Sequence, residues 1–225
     1  MTTTSSRRKG PSSTSAFSFL VIKAAVPAVL VYIGLGGFHS IPVAVVLYHG
    51  FCLVSVAVSG KRMGRLEVPS VIELLFASLS GIVLSLVSVG LWRLTGDLVA
   101  DPDICRFRIE GFGLPNGSWG LFAAYFLLVN PLIEELYWRG NVQERAREIA
   151  NLGDTLVAVP FSLWHLVPIW AICGPIAAVL GGVAVYCVGV LLTTMYRQSR
   201  NLGRCIAWHA MMADLAVISL MFACR

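Results

Sequence analysis

Charge is scarce in this sequence. Asp, Glu, Lys and Arg make up only 13% of its 225 residues, against 57% hydrophobic, a balance that excludes an ordinary soluble domain of this length. The six cysteines contain no CxxC pair and no metal-ligand spacing, which leaves zinc-site and redox-motif roles without support. Period-two alternation is also missing. The apolar runs are continuous, which excludes a transmembrane β-barrel. No internal repeat is visible, which argues against a transporter built from inverted halves.

What is present is a series of apolar runs, several approaching or exceeding the ~18 residues needed to cross a bilayer, with a mean hydropathy of +0.78. The fold class expected is all-α, a polytopic transmembrane helical bundle of about seven spans. The net charge of +5 does not point to nucleic acid, because the basic residues fall in short clusters between apolar runs, as in cytoplasmic loops. Residues 1–15, Ser/Thr-rich with Arg7, Arg8 and Lys9, read as a disordered basic cytoplasmic tail. Residues 16–225 read as one bundle with a catalytic core over about 119–222.

The spans expected in order are Ala16 to Gly34, Ile41 to Ser59, Val71 to Trp92, Gly120 to Trp138, Thr155 to Ala171, Pro175 to Tyr196 and Ile206 to Cys224. Lys23 in the first snorkels toward the inner face. His39 and His49 have no acidic or nucleophilic neighbour and read as structural, and Glu73 reads as interfacial. Gly60-Lys61-Arg62-Met63-Gly64-Arg65 is a basic inner loop. Arg93 to Ser118, richer in acids than bases, is an outer looped connection. A polar inner helix carrying Glu144, Arg145, Arg147 and Glu148 runs up to Asn151-Leu152-Gly153. The fifth span is interrupted by Pro160 and Pro168 and is expected to border a polar cavity. Basic Arg197, Arg200 and Arg204 precede the last span. This alternation puts the amino terminus inside and the carboxyl terminus outside, and a basic, compact, seven-span chain without an accessory domain reads as one of a prokaryotic cytoplasmic membrane.

The stretch Asn130-Pro131-Leu132-Ile133-Glu134-Glu135-Leu136-Tyr137-Trp138-Arg139-Gly140 closes the fourth span. Ionisable groups at such depth cost roughly 2.5–3.5 kcal/mol each on insertion scales and are usually kept for a pathway or a reaction. On a helix Glu135 and Arg139 are i and i+4 and can pair, either as a structural clamp or as part of a site. Glu134 points about 100° away with no partner in its own helix, and is free to carry a proton. His165 in the fifth span and His209 in the seventh interrupt two further apolar runs. Either alone reads equally as a buried histidine bonded to a backbone carbonyl. Together with Glu134 they offer a base and hydrogen-bond donors for activating water.

Glu134-Glu135-x-x-x-Arg139, then Phe161-x-x-x-His165, then His209 resemble in order and separation the three motifs of the CPBP superfamily of type II CAAX-prenyl endopeptidases and bacteriocin-processing or Abi proteins. The resemblance covers about Asn130 to Leu215. The third motif departs from it. The family usually carries Asn or Asp four residues after its histidine, whereas here that position is Ala213 and the acid is Asp214. Five residues along a regular helix is about 140° round, so either the helix is locally distorted or the group is dispensable.

The resemblance implies a metal-independent, glutamate-type intramembrane endopeptidase with no cofactor. Glu134 would activate water, His165 and His209 would polarise the scissile carbonyl or hold the water, and Glu135 with Arg139 would orient the site. No His-Glu-x-x-His zinc string is present. The partners expected are the lipid bilayer and a membrane-anchored protein or peptide substrate, cut near its anchor or carboxyl terminus. No oligomeric state is assigned. Three rivals stand beside this: a non-catalytic scaffold or bacteriocin-immunity protein using the same cavity for binding, a proton-coupled carrier, and a cysteine nucleophile. Cys105, Cys173 and Cys224 all fall on the outer side, away from Glu134, where one disulfide is an option.

Overall fold

The computed structural model describes residues 13–60, 63–150 and 155–224. Most of the basic tail, Lys61 and Arg62 of the inner loop, and the Asn151-Leu152-Gly153 helix end lie outside the described residues. Within them there is no strand, and the helices are α1 (Ser13–Tyr32), α2 (Ile41–Ser59), α3 (Val71–Val99), α4 (Pro102–Gly111), α5 (Trp119–Leu128), α6 (Asn130–Tyr137), α7 (Glu144–Ala150), α8 (Thr155–Cys173), α9 (Pro175–Ser199), α10 (Leu202–Trp208) and α11 (Leu215–Ala223). Wider π turns at Ile33–Gly37, Trp138–Gln143 and His209–Asp214 extend α1, join α6 to α7 and join α10 to α11.

Seven helical stretches are long and apolar enough to cross a membrane: Ser18–Gly37, Ile41–Ser59, Val71–Gly96, Trp119–Arg147, Leu156–Cys173, Pro175–Ser199 and Leu202–Ala223. The chain is an integral membrane protein. Large apolar side chains along α3, including Phe76, Ile82 and Leu86, face outward, as expected where lipid replaces water as solvent.

Two sequence expectations change. The connection from Arg93 to Ser118 is not a plain loop. α3 runs on to Val99, and α4 then starts on Asp101, whose Oδ1 accepts the amides of Asp103 (2.8 Å) and Ile104 (3.3 Å). Pro102 stands at the first helical position, so Asp-Pro-Asp is a helix start. The fifth span is not interrupted either, since α8 keeps Pro160 and Pro168 inside one 19-residue helix. Glu73 closes a capping box with Ser70 at the start of α3 and pairs with Arg204 at 2.8 Å.

The main core gathers α1, α2, α6, α8 and the Trp138–Gln143 turn around Tyr48, Tyr137, Trp138 and Phe161. α8 packs along α9, and α3 packs against α11 and the π turn at His209–Asp214. Gly81 permits that last approach, because a β-carbon there would run into the Met211 carbonyl of the turn. Between the ends of α2 and α3, Arg65 joins Arg200 and Leu202 through backbone hydrogen bonds of 2.8 and 2.7 Å.

Candidate active site

α6 supplies the two carboxylates at the heart of the site. Glu134 and Glu135 are 1% and 0% exposed and Arg139, in the following π turn, is 1% exposed. Nη1 of Arg139 donates to Oε1 of Glu135 at 2.9 Å, the i, i+4 pair expected. Its Nη2 reaches the Gly189 carbonyl of α9 at 3.4 Å, and the guanidinium lies 4.5 Å from the Phe161 ring centroid. Gly189 has no room for a side chain, since a β-carbon would stand 2.9 Å from the Phe161 ring.

His209 is brought against all three acids of this region. Its Nδ1 lies 2.7 Å from Oε1 of Glu135, while Nε2 lies 3.4 Å from Asp214 Oδ1 and 3.8 Å from Glu134 Oε2. An ionised carboxylate held by arginine can only accept, so the network assigns the ring proton to Nδ1 and leaves Nε2 as the exchanging position. Oε2 of Glu134 and Oε2 of Glu135 are buried without a hydrogen-bond partner in the described structure.

The spacing of Asp214 is resolved by the backbone. His209–Asp214 is a π turn, in which one extra residue is absorbed within the turn, so the fifth residue comes round to the face the fourth would occupy in an α-helix. Asp214 is therefore on the histidine's face, and the distortion alternative holds. Its Oδ2 accepts from Asn130 Nδ2 at 3.2 Å.

His165 meets the cluster indirectly. Its Nδ1 lies 2.7 Å from the Phe161 carbonyl, the bond of an ordinary buried histidine, so the proton sits on Nδ1 and Nε2 presents a lone pair. The Phe161 ring touches both histidines, with centroids 4.9 Å from His165 and 6.2 Å from His209.

Three residues near this cluster carried no functional signal in the sequence. Asn130 opens the motif stretch but becomes informative only through Asp214. Tyr48 accepts from Trp138 Nε1 at 3.0 Å and stands beside Glu134. His49 bonds Tyr125 through Nδ1 and lies against Asn130. The last two come from α2, and only tertiary packing brings them here.

Residues 116–213 match a protein-family model described as type II CAAX prenyl endopeptidase Rce1-like. The matched segment covers just under half of the chain. It takes in Glu134, Glu135, Arg139, Phe161, His165 and His209, and ends at Ala213, one residue short of the acid displaced by the π turn. No curated protein and no solved structure matches the chain.

Proposed function

We propose that this chain is an Rce1-like, glutamate-type, metal-independent endopeptidase that hydrolyses a peptide bond near the membrane-anchored or carboxyl-terminal segment of its substrate. The observation that carries this reading is the buried Oε2 of Glu134, without a hydrogen-bond partner and 3.8 Å from Nε2 of His209. That separation is too long for a direct hydrogen bond and suits a bridging water.

Glu134 takes a proton from this water, and the hydroxyl oxygen attacks the scissile carbonyl carbon. The proton passes to the leaving nitrogen as the C–N bond breaks, so one water is consumed and one carboxyl and one amine are formed. Nε2 of His209 is the next proton site in line and, once protonated, a donor toward the developing oxyanion. His165 offers its Nε2 lone pair to hold the water, because its Nδ1 proton is committed to Phe161. Glu135 and Arg139 fix the His209 ring, and Asp214 with Asn130 steadies its far side. Phe161 separates the two imidazoles.

The positive-inside pattern supports an orientation with Arg65, Arg200 and Arg204 toward the cytoplasm, the amino terminus inside and the carboxyl terminus outside. The substrate is a membrane-anchored peptide tail, prenylated or not. In proteoliposomes carrying a tail-anchored peptide, cleavage is expected to persist in excess chelator and after alkylation of accessible thiols. Loss of cleavage in chelator would replace this mechanism with a metal-dependent one, and loss on alkylation with a cysteine nucleophile.

A further inference from the structure

A second group of reactive side chains lies away from the carboxylates. Cys105 of α4 and Cys224 just after α11 form a buried cluster with Ala100, and the half-buried Cys173 at the end of α8 packs against it. Cys105 is 1% and Cys224 7% exposed. Backbone clamps sit directly beside the latter two cysteines. Arg108 of α4 donates to the Ile172 carbonyl at 3.3 Å, and Arg93 of α3 donates to the Ala223 carbonyl at 3.3 Å. Trp92 Nε1 closes the group by donating to the Ala100 carbonyl at 2.7 Å. These bonds fix the backbone next to Cys173 and Cys224 and at Ala100.

The hydrolytic mechanism uses none of these thiols. Cys173 is eight residues beyond His165 on α8, about 12 Å along the axis at 1.5 Å per residue. Among the described residues no group of three or more His, Cys, Asp or Glu is arranged to hold a metal ion. Cys105 and Cys173, packed together from different helices and hydrogen-bonded through their side chains, have one further chemistry open to them, which is reversible oxidation to a disulfide.

We propose that Cys105 and Cys173 are a peroxide-responsive thiol pair whose oxidation to a disulfide staples α4 to the end of α8. The Cys105 thiol is held below its ordinary pKa, first by its hydrogen bond with Cys173 and then by the Arg108 charge, against the opposing effect of burial; its thiolate, the reacting form, is correspondingly more populated. In the first step the Cys105 thiolate attacks a peroxide oxygen. An S–O bond forms, the O–O bond breaks, and the departing hydroxide is protonated to water, leaving a sulfenic acid on Cys105. In the second step the Cys173 sulfur attacks the Cys105 sulfur, its proton passing to the departing hydroxide. The S–S bond forms, the S–O bond breaks, and the second hydroxide also becomes water. The two sulfurs lose two electrons and the peroxide gains them; an added dithiol reverses the reaction. Cys224 packs against the pair without being one of its members.

The test uses the full chain in detergent, treated with hydrogen peroxide, then denatured in the presence of N-ethylmaleimide and analysed by mass spectrometry. The expected product is a monomer with two fewer alkylated thiols and a peptide cross-link between Cys105 and Cys173 that dithiothreitol removes. Cys105→Ser and Cys173→Ser each abolish the cross-link, while Cys224→Ser and Cys187→Ser leave it. Should the first two variants fold poorly, the cross-linked peptide from the unsubstituted chain decides by itself. Cys105 and Cys173 remaining separately modified after peroxide, a cross-link to Cys224, or linkage only between chains would each overturn the proposal.

Discussion

Replacing Arg139 by methionine isolates the interaction that holds the carboxylate centre together. The substitution keeps a long apolar stem but removes the 2.9 Å ion pair to Glu135, the 3.4 Å contact with the Gly189 carbonyl and the guanidinium over Phe161. Glu135, with no exposed surface, is then left as a buried charge whose one remaining partner among the described contacts is Nδ1 of His209. Breaking a buried pair in this way costs about 3–5 kcal/mol, chiefly because the surviving charge is stranded. At about 2–4 °C per kcal/mol for a chain of this size, thermal unfolding in a mild detergent is expected to fall by roughly 6–20 °C. Adding Glu135→Gln removes the stranded charge and keeps an acceptor for His209, so the double variant should recover at least half of the loss. A single variant that unfolds within about 1 °C of the parent, or a double variant less stable than the single, would refute the clamp.

Deleting Ala213 should convert the π turn at His209–Asp214 into an ordinary α turn, with the aspartate four residues after the histidine. Folding and cleavage are expected to survive, whereas deleting Val217 from regular α11 turns every later residue by about 100° and should abolish monodisperse behaviour on size exclusion. Equal tolerance of both deletions would contradict the π-turn account. Gly81→Val forces α3 away from the Met211 carbonyl, and a loss of about 1–3 kcal/mol, typical of overpacking, should appear as a lower unfolding temperature; an unchanged temperature would mean that α3 does not bear on the turn.

The hydrophobic runs made the bundle legible from sequence because lipid-facing helices such as α3 need apolar side chains on almost every face. Glu135 and Arg139 were legible for the same local reason, since i, i+4 spacing determines their contact before any tertiary structure exists. α4 was obscured by its charge, although Asp101 and Pro102 carry an ordinary helix-start signal. The position of Asp214 could not be settled from residue spacing, because a π turn depends on packing from α3 through Gly81 as well as on the chain's own sequence. Tyr48 and His49 belong to a helix with no motif, and their approach to Glu134 and Asn130 is a product of the α2–α6 interface. Pro160 and Pro168 signal a break by sequence, but within a bundle neighbouring helices sustain α8 through both prolines.

In the proposed hydrolysis Glu134 activates the water. The most direct test of this compares the parent and Glu134→Gln, reconstituted at equal levels and with matched unfolding temperatures, on tail-anchored candidate peptides from the protein's own membrane. Gln keeps the size and removes the base, so a cleaved product that forms with the parent and falls by at least about a hundredfold with Glu134→Gln, the scale of a lost general base, is the predicted result. Unchanged cleavage by Glu134→Gln would contradict the mechanism.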